Sequence, residues 1–426
     1  MCVGVPMKRA GVFGAAIIVF LVFAWAGCGE YYRPVAFPIT PPPPNPTFFH
    51  MVLVITAAGN NNPGASTTID VSGDAATSQS IVGIKPSYAA LVATATRVYV
   101  ANTGEDTVSE FAPTSATPVN IISFPSGSAP NFVASTESGT VYVSNAGSGT
   151  VAAISTADNV LTNTIPVGGI PASMAELPNT QKLYVANGSS PAGNGSVVSI
   201  NTIDKSLNLP IVPKPSAPWV SPIWVVSRSD SQRLFALDRG SGFVSAIDTA
   251  SDMVVGTASV GIGANFMTYD PVLSRLYVTN PITNTVTVLN ALSDALTPMT
   301  ASVPSPISVS VLPDGTRAYV ASALVSGTNV TSRVTVLNTA DLTVKTTIPL
   351  TSVPLVCATG AWSELSIAAA ADSSRVYVGN CDASNTDVIQ TSNDTLSLEI
   401  TAPFGGPFSP TGKQQLQNPV LVLAGP

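Results

Sequence analysis

Histidine is almost missing from these 426 residues: His50 is the single one. Catalysis built on Ser–His–Asp or Cys–His sets, and metal sites built from histidine and cysteine clusters, therefore have no material to draw on. Charge is scarce as well. Charged residues make up 10% of the chain, with 17 Lys plus Arg against 24 Asp plus Glu and a formal charge of −7. Such a chain offers no basic face to nucleic acid or to anionic lipid. Helical apolar periodicity is lacking, and the one long uncharged apolar run, Ala10 to Ala26, has only 17 residues, short for a membrane span. What is present is a 45% hydrophobic share, which rules out wholesale disorder, with 36 Pro and 32 Gly to make turns.

The apolar run follows Lys8 and Arg9 and ends Trp25-Ala26-Gly27-Cys28-Gly29, the layout of an export signal. Small residues directly before a cysteine resemble the lipobox of bacterial lipoproteins. That resemblance implies cleavage before Cys28, diacylation of its thiol and anchoring in the cell envelope, facing the periplasm or in the outer membrane. Gly29, where an aspartate would retain the protein at the inner membrane, points to the outer one. The competing reading is an uncleaved signal anchor with an incidental cysteine. Cleavage removes Lys8 and Arg9, so the formal charge falls from −7 to −9. Residues 28–49 contain Pro41-Pro42-Pro43-Pro44-Asn45-Pro46 and read as a semi-rigid polyproline spacer. The expected organisation is a signal peptide over 1–27, a tether over 28–49 and one domain over 50–426.

That domain repeats. Val98-Tyr99-Val100-Ala101-Asn102 recurs as Val141-Tyr142-Val143-Ser144-Asn145, Leu183-Tyr184-Val185-Ala186-Asn187 and Leu234-Phe235-Ala236-Leu237-Asp238. It continues as Leu276-Tyr277-Val278-Thr279-Asn280, Ala318-Tyr319-Val320-Ala321-Ser322 and Val376-Tyr377-Val378-Gly379-Asn380. The aromatic markers are spaced by 43, 42, 51, 42, 42 and 58 residues, and Val52-Leu53-Val54 is a degenerate first copy. Around each copy lie further short runs of alternating Val, Ile and Thr separated by turn residues, such as Thr285–Asn290 and Ile307–Leu312. Four half-buried antiparallel strands per unit, without a helix, make a β-propeller blade. A β-sandwich is the weaker alternative, because it would not repeat one phrase.

The units closely resemble YVTN-type β-propeller repeats, the namesake phrase standing as Tyr277-Val278-Thr279-Asn280 and the accompanying Val-Gly before a proline-led strand as Val167-Gly168-Gly169-Ile170-Pro171. Members of that family include surface-layer and envelope proteins, with lactonase-like and quinoprotein-type propellers as relatives. The resemblance implies the fold far more than any activity. If the Tyr phrase is the second strand of each blade, seven units carry a first strand of their own. Residues 51–83 then lack one, and Pro419–Ala424 is left over at the other end. Those leftovers complete each other, giving eight blades closed by the C-terminal strand; seven, with the first unit dangling, is the alternative.

With strands lettered A to D from the channel outward, the B–C loops and D–A connections share one face. The insertions Gly188–Gly195, Ala323–Thr331, Lys214–Ser221 and Thr351–Ser363 all fall there. Trp219 and Trp362 lie in them and are candidate anchors for a partner, unless each only stiffens its own loop. Glu105, Asp106, Asp238 and Arg239 are candidates for the rim of the central opening. Asp382, Asn385 and Asp387 form an oxygen-rich turn without calcium-loop spacing. No metal or other cofactor is expected.

Cys2 leaves with the signal and Cys28 is used for acylation, so Cys357 and Cys381 are the remaining thiols. Export places them in an oxidising compartment, and the topology puts both on the loop face of the last blade, which predicts a disulfide. The functional expectation is an envelope protein, monomeric, binding a protein or an envelope polymer through its loop face. The alternative is a lactonase-like hydrolase or lyase using channel-facing carboxylates and Arg239.

Overall fold

In most blades the second strand is apolar on both faces, and both faces are covered. The computed structural model describes residues 50–59, 61–92, 96–114, 119–135, 139–188, 193–357, 365–401 and 417–425. The expected signal, Cys28, the tether and Trp362 lie outside the described residues. Every ordered element among the described residues is a strand. They form eight antiparallel sheets, seven of four strands and one of three, whose innermost strands neighbour one another around a closed ring. This is an eight-bladed β-propeller.

Blades 2 and 3 show the plan. In blade 2 the strands A to D are Pro86–Leu91, Val98–Asn102, Thr107–Phe111 and Asn120–Ser123; in blade 3 they are Pro130–Ser135, Thr140–Asn145, Thr150–Ser155 and Leu161–Pro166. Strands B and C are sandwiched between neighbouring blades and are almost wholly buried, whereas D is largely exposed at the rim. The six marker tyrosines are fully buried.

Closure is by the last strand. Gln417–Ala424 pairs antiparallel with Met51–Ala58, which pairs with Pro63–Asp70 and that with Ala75–Ile84, so blade 1 is made from both ends of the ring. The terminal strand carries the signature of the other inner strands. Pro86, Pro130, Pro171, Pro222, Pro306 and Pro419 are each followed by a one-residue bulge against strand B. A proline has no N–H to give a ladder, and a bulge just beyond it re-aims the next side chain. Gly379 takes the place that Ala101, Ser144 and Thr279 hold in their phrases, and a Cβ there would lie 2.8 Å from Val422 Cγ2 and 3.1 Å from Pro419 Cβ. The glycine makes room for the closing strand.

On the A–B face each blade reaches into the next. The Tyr99 hydroxyl donates to Asn159 Oδ1 (2.6 Å), Tyr184 to Asp252 Oδ1 (2.5 Å), Tyr377 to Asp74 Oδ1 (2.5 Å), and Tyr319 to Asp394. All four acceptors sit at positive φ in the C–D turn of the following blade. Asn and Asp tolerate that conformation better than most residues. The residue two before each of these tyrosines is a cation, and Lys182, Arg317 and Arg375 salt-bridge to the same turn carboxylates. Blade 3 has Thr140 at that place, and the charge comes from the other side: Lys205, at φ 61 in the turn of blade 4, donates to the Tyr142 hydroxyl at 2.7 Å. In blade 5 the tyrosine is Phe235 and the facing turn residue is Leu296, within one apolar cluster. Much of the small stock of charge thus joins blades together.

Two blades depart from the plan. Blade 4 has strands Ile170–Glu176, Lys182–Gly188 and Ser196–Asn201 but no fourth. The irregular segment beyond stands in for it, with Asn208 N donating to Ser199 O and Ile211 N to Val197 O, both at 2.9 Å. Pro210 and Pro213 deny that segment a regular ladder. In blade 7 the insertion Ala323–Thr331, expected as a loop, is strand. Arg317–Ser326 and Asn329–Asn338 pair without interruption to Ser326↔Asn329, around Gly327 at φ 64, and Val344–Pro354 follows them outward. The β-branched Val325, Val330 and Thr331 on either side of Gly327 suit a hairpin, and length alone had suggested a loop.

Candidate site on the loop face

The inner strands enter the channel from the loop face, so their first residues form the wall of a cavity of about 1300 Å³. The wall is lopsided. Tyr88, Phe132 and Trp224 follow the bulges of blades 2, 3 and 5, and Phe266 comes from blade 6, whereas Ser308 and Ser366 hold the corresponding region of blades 7 and 8. The rings touch in series. Tyr88 stacks on Phe132 (centroids 3.9 Å apart, planes at 19°), Phe132 meets Trp224 edge-on (5.7 Å, 88°), and Trp224 tilts over Phe266 (5.0 Å). Trp224 bridges toward Phe132 across blade 4, whose inner strand has the small Ser173 there. Burial pushes the Tyr88 phenol up to about 12, so it is a neutral hydroxyl at any physiological pH. Neither that hydroxyl nor Trp224 Nε1 makes a hydrogen bond with the described residues.

Small polar side chains hold this wall in shape. Asn131 Nδ2 donates to Pro171 O (2.9 Å) and Asn265 Nδ2 to Ile307 O (3.0 Å), each tying one inner strand to the next. Ser308 Oγ donates to Leu365 O, and Val422 N donates to Ser366 Oγ. The cations at the mouth are Lys85, in the D–A connection before blade 2, and Arg239, in the B–C turn of blade 5. Both are exposed, and neither side chain has an ion-pair or hydrogen-bond partner among the described residues. No carboxylate and no histidine is among the described residues that line the cavity.

The carboxylates proposed from sequence for the rim have other duties. Asp238 is fully buried, and its oxygens accept from Val220 N, Ser221 N, Gly240 N and Ser241 N at 2.6–3.0 Å. It replaces the phrase asparagine because here the D–A connection presents N–H groups, whereas Asn187 and Asn280 donate to carbonyls of theirs. Asp238 is thus a buried staple and not a binding-face residue. Asp106 accepts from Gly127 N and Ala129 N, and Glu105 from Thr107 Oγ1. Trp219 is only 5% exposed, and its Nε1 donates to Ile211 O at 2.9 Å. It stiffens its own loop and offers no anchor. Arg239 does face the opening.

Cys357 and Cys381 are joined by a disulfide at the cavity wall, with Cα atoms 6.1 Å apart. Asp382 Oδ1 accepts from Val356 N and Cys357 N, which shapes the connection around the bond. Asp387, placed with Asp382 and Asn385 in one oxygen-rich turn, is instead fully buried on strand C of blade 8, Asn385–Gln390. Desolvation holds its carboxyl up at about 7. His50 stands at the far end of strand B from the cavity, its carbonyl accepting from Val71 N.

What sequence reasoning missed is the aromatic wall. The signal was available: an aromatic two residues after proline in Pro86-Ser87-Tyr88, Pro130-Asn131-Phe132 and Pro222-Ile223-Trp224.

No family model and no curated protein matches the sequence. Solved structures do match in shape. A structure of apo AztD from Citrobacter koseri has a TM-score of 0.56 at 12% identity, covering 89% of this chain and 99% of that one. The dihydro-heme d1 dehydrogenase NirN, in complex with DHE, has a TM-score of 0.61 at 12% identity, covering 84% and 74%. A putative 6-phosphogluconolactonase from Bacteroides fragilis has 0.52 at 14%, covering 89% and 98%. At such identities the likeness is one of fold.

Proposed function

We propose that this chain is an exported, lipid-anchored envelope propeller that binds a ligand or partner in the cavity of its loop face and does not transform it. The observation that carries this reading is the chemistry of the cavity wall: rings, small polar groups and two free cations, without a carboxylate or histidine among the described lining residues. A lactonase-type hydrolase needs an acid or base beside its electrophile, and Arg239 has no such neighbour among them. Pockets of this kind, mostly apolar with a few convergent polar groups, are suited to retention. The anchor rests on Ala26-Gly27-Cys28 and on the proline-rich spacer behind it.

Two measurements test the reading. Cys28→Ala should abolish acyl labelling and leave the export segment uncleaved; unchanged labelling and processing would remove the anchor. Purified mature protein should leave a panel of aliphatic and aromatic lactones intact, and turnover lost on Arg239→Gln would instead establish the hydrolase.

A further inference from the structure

We propose that the loop-face cavity is a site for a planar aromatic anion, stacked on the Tyr88–Phe132–Trp224–Phe266 wall with its acidic group toward Lys85 and Arg239. The proposal rests on the binding reading above and adds the class of ligand.

The argument starts from exposure. Four aromatic rings that served only to pack a core would be closed off, yet Tyr88, Trp224 and Phe266 are only half-buried and line an open cavity. Their rings already contact each other in stacked and edge-on pairs, the arrangement that accepts a further flat ring at little reorganisation. Trp224 Nε1 and the Tyr88 hydroxyl are left without partners among the described residues, so an oxygen-bearing ring system could accept from both.

Charge adds the second element. The chain is acidic overall, with a formal charge of −7. Arg97, Lys182, Arg233, Arg317 and Arg375 are each paired with a carboxylate on the opposite face. Lys85 and Arg239 are not, and both stand at the cavity mouth. Lys85 holds its place at φ 52, a conformation unfavourable for lysine. Two unpaired cations over a wall free of described carboxylates select against cations and neutral ligands alike. A carboxylate, sulfonate or phosphate on the ring system would satisfy them.

Three probes of similar size separate stacking from charge by calorimetry on the mature protein: 1-naphthoate, 1-naphthamide and cyclohexanecarboxylate. Naphthoate should bind, with the other two weaker by about tenfold or more. Raising ionic strength should weaken naphthoate and leave naphthamide unchanged. The exposed pair Lys85→Asn plus Arg239→Gln, which keeps a residue tolerant of positive φ, should bring naphthoate to the level of naphthamide without lowering the melting temperature. Trp224→Leu should bring it to the level of cyclohexanecarboxylate. Equal affinities for all three probes, or naphthoate binding untouched by the double substitution, would overturn the proposal. Failure of every probe while the intact loop face still retains an envelope component would also overturn it, yet leave the binding reading in place. Lactone turnover would remove both.

Discussion

Tyr277 and Leu342 occupy one apolar cluster across the boundary between blades 6 and 7, at the place where four other blades set a tyrosine hydroxyl against an acceptor. Leu342 has φ 59, and the Tyr277 hydroxyl is buried with no partner. An unsatisfied buried hydroxyl costs about 1–3 kcal/mol, and a leucine at positive φ adds to that.

Leu342→Asp should therefore rebuild the arrangement seen at Asp394 and Asp74, with Arg275 beside it as the cation. Measured against Tyr277→Phe in a double-mutant cycle, the new pair should show favourable coupling of about 1–2 kcal/mol in urea unfolding. Zero coupling would mean that the hydroxyl contributes nothing at these boundaries. The converse change, Asp394→Leu, strands Arg317, Lys345 and Tyr319 together and should destabilise by several times as much.

Loss of ring closure is the second prediction. Deleting residues 417–426 leaves the inner edge of Met51–Ala58 unpaired and removes apolar side chains each worth roughly 1.5–3 kcal/mol when buried, against a total stability of about 5–15 kcal/mol. The shortened chain should aggregate or melt far lower. Gly379→Ala is the milder test, since its methyl meets Val422 and Pro419. A melting temperature equal to the parent's in both variants would contradict closure by this strand.

Asp387 sets a pH dependence with a definite sign. Its carboxyl titrates near 7 in the folded chain, against an ordinary value of 3.8. Between those values the folded state holds a proton that the unfolded state has lost, so stability from this group falls as pH rises and levels off above about 7. The full difference is of the order of 4 kcal/mol. Asp387→Asn should flatten that slope and stabilise the protein at pH 8, as followed by thermal melts from pH 4 to 8. A wild-type slope of opposite sign over that range, or one that survives the substitution, would refute it.

The bridge between Cys357 and Cys381 closes a short loop of sequence separation 24, for which chain entropy allows about 3–4 kcal/mol. Replacing both cysteines by serine should lower stability by up to that amount. Non-reducing peptide mapping that finds both thiols free would dismiss the bond.

Repetition made the fold legible. Tyr99, Tyr142, Tyr184, Tyr277, Tyr319 and Tyr377 mark strand B in each case, and the spare Pro419–Ala424 marked the closing strand, because strand bookkeeping leaves no other place for it. The site was less legible for a physical reason. In a chain so poor in charge, Asp238 looked functional by rarity, yet rarity does not tell a carboxylate facing solvent from one saturated by four backbone N–H groups. Three of the four wall aromatics, Tyr88, Phe132 and Trp224, stand two residues past a proline just beyond its bulge, and that bulge sets their aim; Phe266 has neither proline nor bulge before it, so no local phrase marks it. In blade 7 the added residues read as loop by count, and pairing decided them as strand.

Thr56 Oγ1 donates to Gln417 Oε1 at 2.7 Å, and the two residues are 361 positions apart. An open array of repeats has two terminal units, each with one neighbour, and melts from whichever end frays first. Here the first blade cannot peel away, because its inner strand follows the seven other blades in the sequence and its other strands precede them. Unfolding has to break a ring instead of unzipping a row. The same topology delays assembly, since the first blade stays one strand short until the last residues of the domain have been made.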